Sequence, residues 1–207
     1  EVRESLLILG TLLGKEDRAR HVDAYIRGLE ADLQRRTKGI PLRARPSAYF
    51  GGVSFKGSQG FTSTQAGYTP ADMVNARNVA DVSGKRGHML IDKERILHWN
   101  PDIIFVDIGS RAILEQDFAK DRQFYRLLKA AQAGRAYSLL PYNNYNTNIE
   151  IALLNAYFIG KCLYPNSFAD VEMRSKAEEI FGELLGVHPD EPLPAYGVLR
   201  FQETGPM

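Results

Sequence analysis

The stretch Asn100-Pro-Asp-Ile-Ile-Phe-Val-Asp107 contains the clearest strand of this sequence. Asn100 and Pro101 end the helical pattern before it, and an uninterrupted apolar run follows at residues 103–106. Such a run is typical of a parallel strand that helices cover on both faces. On either side of this stretch, strand patterns alternate with helix patterns, which predicts βαβ units.

The other elements complete an α/β pattern. We expect strands at residues 47–50, 78–80 and 135–140, and helices at residues 4–13, 15–37, 70–76, 92–99, 111–119, 124–133, 147–164 and 171–185. In the longest helix pattern, apolar residues recur at intervals of three and four, which indicates a single core-facing stripe. The predicted fold is therefore a three-layer αβα, Rossmann-like lobe with a mostly parallel sheet, preceded by a long helix.

Composition limits the classes of function. A chain of 207 residues with 44% hydrophobic and 25% charged residues is ordinary for a globular protein of one large or two small domains. A net charge of +1 gives no electrostatic reason to expect a nucleic-acid partner. Cys162 is the single cysteine, which excludes an internal disulfide and a cysteine-rich metal site. No apolar run approaches the roughly 20 residues that span a bilayer.

A turn rich in Tyr and Asn, Pro141-Tyr-Asn-Asn-Tyr-Asn-Thr-Asn-Ile-Glu150, follows the last predicted strand and precedes a helix. Ligands of open α/β sheets bind just beyond the carboxyl ends of the strands. The side chains of Tyr142, Asn143, Asn144 and Tyr145 offer aromatic faces for stacking and amide groups for orienting a ligand. The alternative is that Asn and Pro residues here only form the turn and cap the helix.

A glycine-rich and hydroxyl-rich loop, residues 51–64, follows the first predicted strand. It lacks the glycine and lysine spacing of a nucleotide P-loop. We interpret it as a ligand-facing loop in which Lys56 and Gln59 supply hydrogen-bond donors, because loops this long tend to be functional or disordered. The alternative is a long irregular surface loop.

Neither a metal centre nor a catalytic set is indicated. The four histidines have no metal-ligand spacing, although His88 lies in a glycine-flanked segment that could approach a cleft. Asp107 and Ser110 follow a strand, where a catalytic acid could lie, but no third member can be named. We therefore expect a binding protein without an intrinsic cofactor, and not an enzyme.

Several blocks of the sequence carry a family resemblance. They are Tyr49-Phe-Gly-Gly-Val-Ser-Phe-Lys-Gly57, Asn75-Ala-Arg-Asn-Val-Ala-Asp81, Trp99-Asn-Pro-Asp-Ile-Ile-Phe-Val106 and Leu128-Lys-Ala-Ala-Gln-Ala-Gly-Arg-Ala-Tyr137. Together they resemble the second half of an iron-complex type periplasmic substrate-binding protein of an ABC importer. That family includes the binding proteins for ferric siderophores, haem and cobalamin.

The resemblance implies a protein of two lobes joined by one long helix, with the ligand held between them. Residues 1–38 would be the helical segment that includes the connecting helix, and residues 39–207 the C-terminal α/β substrate-binding lobe. Because the sequence begins inside a helical pattern, we expect a fragment or a trimmed chain whose first lobe is missing.

The resemblance also implies a ligand and its contacts. The ligand would be a metal chelate, such as an iron(III) siderophore, against which Tyr142 and Tyr145 pack. Asn143, Asn144, Lys56 and Gln59 would bind its polar edge, and the charges of Lys56 and Arg111 suit an anionic chelate. Direct coordination of iron by a tyrosine is a weaker alternative than stacking on the chelate.

A membrane permease is the implied partner, and the implied location is periplasmic or extracellular and membrane-associated. In the family, an acidic residue on each lobe docks onto the permease. On this lobe we expect Glu94 to be that residue, with Asp92 as the second candidate. The alternative is that both acids only cap and solvate a helix.

Two other classes of function stay open. One is an enzyme or a metallocofactor-assembly protein, which requires titratable groups with strongly perturbed pKa values at the strand ends. The other is an interaction module that pairs with a separately encoded lobe. The interaction module and a truncated binding protein both predict an exposed apolar patch where the other lobe would lie.

Overall fold

A computed structural model describes residues 2–143, 146–187 and 196–201 of the chain. Its helices are α1 (Val2–Leu12), α2 (Glu16–Thr37), α3 (Thr69–Asp72), α4 (Lys93–Trp99), α5 (Arg111–Lys120), α6 (Arg122–Leu127), α7 (Lys129–Gln132), α8 (Ile149–Leu163) and α9 (Met173–Leu185). Its strands are β1 (Ser47–Gly51), β2 (Ser63–Ala66), β3 (Arg77–Asn78), β4 (Gly87–Leu90), β5 (Ile103–Asp107) and β6 (Ala136–Leu139).

The central sheet has four parallel strands in the order β3–β1–β5–β6. Phe50 of β1 pairs with Phe105 of β5, and Val106 of β5 pairs with Ser138 of β6. All five residues of β5 are buried, as expected for a strand covered on both faces. The predicted α/β class with a mostly parallel sheet is confirmed.

Helices pack on both faces of this sheet. One hydrophobic cluster joins α2, α3, α8 and α9 to alternate side chains of the strands, among them Phe50 and Phe105. The opposite cluster joins α4, α5, α6 and α7 to the intervening side chains, among them Tyr49 and Ile104. This arrangement confirms the three predicted layers.

Helix α2 is anchored to the lobe by apolar and polar contacts. Its stripe of Val22, Ile26, Leu29 and Leu33 belongs to the same core cluster as the sheet. Near its end, Arg36 donates to Asp32 over 2.7 Å and to both carboxylate oxygens of Asp170 over 2.6 and 2.8 Å. Tyr157 of α8 also donates to Asp32 over 2.9 Å. The predicted boundary between the helical segment 1–38 and the α/β lobe therefore lies just after a helix that packs against that lobe.

The structure differs from the sequence prediction at several short elements. Strands β2 and β4 pair antiparallel, with Gln65 opposite His88, where loops were predicted. Their polar side chains hide a strand pattern, although Ser63 and Thr64 are buried. The predicted helix at residues 124–133 is divided at Leu128, whose backbone is extended. The predicted strand at residues 78–80 is confined to β3 and continues as a 3₁₀ helix, Val79–Ser83.

Helix α1 and the residue after it, Leu13, expose apolar side chains. Leu12 is 74% exposed and Leu13 is 70% exposed, and Leu7, Ile8 and Leu9 are exposed beside them. We call these five residues the α1 apolar face. None of the helices in the described part of the chain combines the length and the apolar character needed to cross a membrane.

Candidate functional site

The carboxyl ends of β1, β5 and β6 lie side by side at one edge of the central sheet. The chain leaves β1 for β3 on one side and later enters β5 on the other, so the topological switch point lies between β1 and β5. Ligands of open α/β sheets bind in the crevice at this point. We use the name carboxyl-edge site for residues 52–60, 107–111 and 140–143, which follow the three strand ends.

A buried carboxylate joins the first two segments of the site. Asp107 is 6% exposed, and its Oδ2 accepts a hydrogen bond from the Ser54 hydroxyl over 3.1 Å. Its Oδ1 accepts from the Gly109 N–H over 2.8 Å. Burial raises the pKa of Asp107, and these hydrogen bonds oppose that rise by stabilising the charged form. Asp107 therefore ties the loop after β1 to the end of β5.

Ser110 makes a second connection between the same segments. Its hydroxyl donates to the Gly52 carbonyl over 2.7 Å and accepts from the Gln59 N–H over 3.3 Å. Gly52 has a φ of +66°, and an added Cβ would lie 3.1 Å from the Ser110 Cβ. A glycine is required here because the left-handed backbone and the close approach both disfavour a side chain.

The tip of the loop after β1 carries the predicted donor Lys56. The Phe55 N–H donates to the Gly57 carbonyl over 3.0 Å and closes the tip, where Lys56 has a φ of +53°. The Lys56 Nζ lies 5.5 Å from the centre of the Phe55 ring. Gln59, the other predicted donor, is partly buried and donates through Nε2 to the Phe55 carbonyl over 3.1 Å. Gln59 thus shapes the loop, whereas Lys56 is exposed to solvent.

His88 of β4 supports the exposed ring of Phe55. The two rings stack with centres 4.4 Å apart and an interplanar angle of 7°. The Ser63 hydroxyl gives its one hydrogen to the Val53 carbonyl over 2.7 Å and lies 2.8 Å from the His88 Nε2. Because that hydrogen is used, the His88 Nε2 must be the donor to Ser63, which fixes the tautomer of the neutral ring. Burial lowers the pKa of His88 and favours this neutral form.

Tyr142 and Asn143 follow β6 at the same edge. The Tyr142 side chain is buried, with its ring edge-on to Tyr68 at 5.4 Å, and its carbonyl accepts from the Asn148 N–H over 2.8 Å. The Asn143 side chain is partly exposed and accepts from the Thr147 hydroxyl over 3.3 Å. Asn144 and Tyr145 lie outside the described residues.

Arg111 begins α5 immediately after Ser110 and is exposed. Its Nε donates to Glu115 over 2.8 Å, one helical turn away. The guanidinium therefore lies at the margin of the carboxyl-edge site with part of its charge offset by Glu115.

The two predicted docking acids lie at the start of α4. This helix directly precedes β5 in the chain. Asp92 accepts from the Arg95 N–H over 2.6 Å and caps the helix, while Glu94 is exposed in the first turn. Lys93, between them, is bound by Asp117 and Asp121 at 2.9 and 3.0 Å. Its charge is therefore offset locally.

The sequence analysis did not identify Ser54, Phe55 or Tyr68 as site residues. Ser54 and Phe55 lie in the glycine-rich block quoted above. An aromatic residue next to a lysine in such a loop was the sequence feature that could have indicated Phe55. Tyr68 is distant from the other segments in sequence, so only the fold brings it against Tyr142. In the described ranges, no three His, Cys, Asp or Glu side chains are grouped as a protein metal site requires.

Solved structures share this fold. A periplasmic solute binding protein from Veillonella parvula has a TM-score of 0.71 and 20% identity over 90% of this chain and 56% of its own length. A molybdate periplasmic binding protein of a Haemophilus influenzae ABC transporter, bound to molybdate, has a TM-score of 0.72 and 17% identity over 90% and 56%. An ABC-type Fe³⁺-hydroxamate transport system from Saccharomonospora viridis has a TM-score of 0.55 and 16% identity over 77% and 54%.

The chain spans a little over half the length of these solved structures. Comparison with curated protein sequences gives no match. The family model described as periplasmic binding protein matches residues 1–142, which is more than half of the chain. The chain therefore belongs to the periplasmic binding protein family.

Proposed function

We propose that this chain is the C-terminal lobe of the solute-binding component of an ABC importer, and that it captures an anionic metal chelate such as a ferric siderophore. The observation that carries the proposal is the convergence of three segments at the switch point of the sheet, where Asp107 and Ser110 join the loop after β1 to the end of β5. Family membership supports solute binding, and it implies a periplasmic location.

The exposed groups of the site suit a ligand with flat and anionic parts. Phe55 is 44% exposed and is held from behind by His88, so its exposed part, with the Lys56 ammonium 5.5 Å from the ring centre, offers an aromatic surface beside a positive charge. Lys56 and Arg111 bring positive charge to the rim, which favours an anionic ligand. Asn143, Asn144, Tyr145 and Gln59 are the proposed polar and aromatic partners from the sequence, and Tyr142 is buried at the same edge.

The similar structures support a ligand that contains a metal. The Haemophilus influenzae protein is described with molybdate and the Saccharomonospora viridis protein as part of an Fe³⁺-hydroxamate system. Molybdate is a small oxyanion, whereas a hydroxamate complex is a larger chelate. An exposed aromatic platform is of use only to the larger ligand, and this favours the chelate for the present chain.

The partners in this proposal are a second lobe and a membrane permease. The α1 apolar face offers a surface of five exposed apolar residues for the second lobe. Glu94, with Asp92 beside it, is the proposed contact with the permease. A separately encoded partner lobe would use the same α1 face, so this face is equally consistent with an interaction module.

Fluorescence quenching tests the proposal. Two proteins, this chain and the complete gene product, are each titrated with ferric siderophores, haem, cobalamin and molybdate. We expect saturable quenching at micromolar ferric siderophore with the complete gene product, and much weaker quenching with this chain, because in this proposal the chain supplies one of the two lobes that hold the ligand. If only molybdate gave saturable quenching, the proposed ligand would be an oxyanion and not a chelate. If no compound gave a response, the interaction module would be favoured.

A further inference from the structure

A buried amide contacts the backbone at the point where the chain leaves β6. Asn155 of α8 is completely buried. Its Nδ2 donates to the Leu140 carbonyl over 2.8 Å, and its Oδ1 accepts from the Leu140 N–H over 3.2 Å. One side chain thus satisfies both backbone groups of Leu140, as a neighbouring strand would, one residue after β6 ends at Leu139.

The orientation of this amide is fixed by a third hydrogen bond. The Tyr196 hydroxyl donates to the Asn155 Oδ1 over 2.8 Å, and the Tyr196 ring lies against Phe158 with centres 4.3 Å apart. A reversed amide would direct its NH₂ group at the Leu140 N–H, so only the observed orientation satisfies both groups of Leu140. Asn155 is therefore held by Leu140 on one side and Tyr196 on the other.

The position of Leu140 sets the direction of the segment that follows. Pro141 has no N–H and cannot donate a backbone hydrogen bond, whereas Leu140 directly before it has both backbone groups bound by Asn155. Further along the described chain, the Asn148 N–H donates to the Tyr142 carbonyl. The start of the third segment of the carboxyl-edge site thus depends on α8.

We propose that Asn155 is a positioning residue for ligand binding: by pairing with both backbone groups of Leu140, it holds the segment after β6 in the binding geometry. This inference rests on the proposed capture of a ligand at the carboxyl-edge site. Asn155 does not touch the ligand in this proposal, and it acts only through Leu140 and the residues that follow.

Three variants of the complete gene product test this role. Asn155→Leu removes all three hydrogen bonds while keeping a similar volume. Asn155→Asp keeps the acceptor for Leu140 but replaces the donor by a carboxylate oxygen, until acidification protonates it and restores an O–H donor. Ile159→Ala is the control, because it removes buried apolar volume from the same helix without changing a hydrogen bond.

Two measurements are made on each variant. One is the Kd for ferric enterobactin, a tris-catecholate iron(III) complex that is anionic like the proposed ligand, and the other is NMR hydrogen exchange of the Leu140 and Asn148 amides without ligand. We expect Asn155→Leu to weaken binding and to speed both exchange rates by about tenfold or more. For Asn155→Asp, we expect the ratio of its Kd to the wild-type Kd to fall as the pH is lowered. Ile159→Ala should lower stability and leave both readouts near wild type.

Unchanged exchange of Leu140 in Asn155→Leu, or equal loss of binding in Ile159→Ala, would overturn the inference. A Kd ratio for Asn155→Asp that does not respond to pH would also contradict it. If the wild-type protein does not bind the iron complex, the proposed function fails at that probe. The exchange rates still decide whether Asn155 holds Leu140 in place.

Discussion

The Ser54 hydroxyl donates to the Asp107 carboxylate over 3.1 Å, across the topological switch point of the sheet. Both residues are buried, and they are 53 positions apart in the chain. Hydrogen bonds to a charged acceptor in a buried position are among the stronger ones in proteins. This contact therefore contributes both to stability and to the shape of the carboxyl-edge site.

Replacing Ser54 should show that contribution. We expect Ser54→Ala to lower the free energy of unfolding by about 1–3 kcal/mol, because the buried Asp107 carboxylate loses a donor. Urea denaturation measures the change. The matched control is Ser58→Ala in the same loop, which removes an exposed hydrogen bond to the Gly109 carbonyl and should change stability by less than about 0.5 kcal/mol. Equal effects of the two substitutions would show that the Ser54 contact has no special weight.

The Asp102 carboxylate should make stability depend on pH in the acid range. Partial burial opposes its charge, but hydrogen bonds from Lys129 and Ser47 lower its pKa to about 2. The unfolded-state pKa of an aspartate is about 3.9, so the folded state favours the charged form. Its stabilising contribution is complete above about pH 4 and is lost as the pH falls toward 2.

Asp102→Asn should remove this part of the pH dependence. We expect the difference in unfolding free energy between wild type and Asp102→Asn to shrink steadily between about pH 4 and pH 2. Chemical denaturation at a series of pH values measures it. Glu115→Gln on the exposed face of α5 is the control, and a difference for Asp102→Asn that stays constant over this range would contradict the expectation.

The stack of Phe55 on His88 should be visible in the titration of the histidine. Burial lowers the pKa of His88, so its NMR titration midpoint should lie below the ordinary value of about 6.5. Phe55→Ala uncovers one face of the ring, and the midpoint should move up toward that value. An unchanged His88 midpoint in Phe55→Ala would show that the stack does not desolvate the ring.

The α1 apolar face should make the isolated chain self-associate or bind hydrophobic dyes. We expect the double substitution Ile8→Lys and Leu12→Lys to reduce dye fluorescence severalfold with little loss of stability, since both side chains are exposed. Light scattering coupled to gel filtration follows the association. The control is Val82→Lys, an exposed apolar residue outside α1. The idea fails if the α1 variant and the control behave alike.

Local sequence patterns were sufficient to predict the four-stranded parallel sheet but not the two-stranded sheet of β2 and β4. The apolar run at residues 103–106 requires burial on both faces, and β5 has it. In the sheet of β2 and β4, by contrast, the polar side chain of Ser63 is buried because it bonds to the Val53 carbonyl and to His88, which a hydrophobic pattern does not reveal. Leu128 divides a predicted helix although no proline or glycine marks the break, because its surroundings in the fold determine its backbone.

The candidate site was predictable in its location and not in its internal contacts. A turn after a strand end and a Gly-rich loop both indicate the carboxyl edge, and the structure brings these segments to it. Which side chains face outward depends on pairs distant in sequence. Tyr142 is buried against Tyr68, and Gln59 bonds its own loop, whereas Phe55 is exposed because His88 fills the space behind it.

The anchoring of α2 has a mechanical consequence. Its apolar stripe is part of the main core, and Arg36 fastens its end to Asp170. A helix held along its length in this way moves with the lobe and cannot bend at its middle without disrupting the packing of the core. Helix α1 is held to α2 in turn, since Arg3 pairs with Asp23 and Glu30 and Gly10 lies against Ala19. Both helices would therefore move together with the lobe as one rigid body.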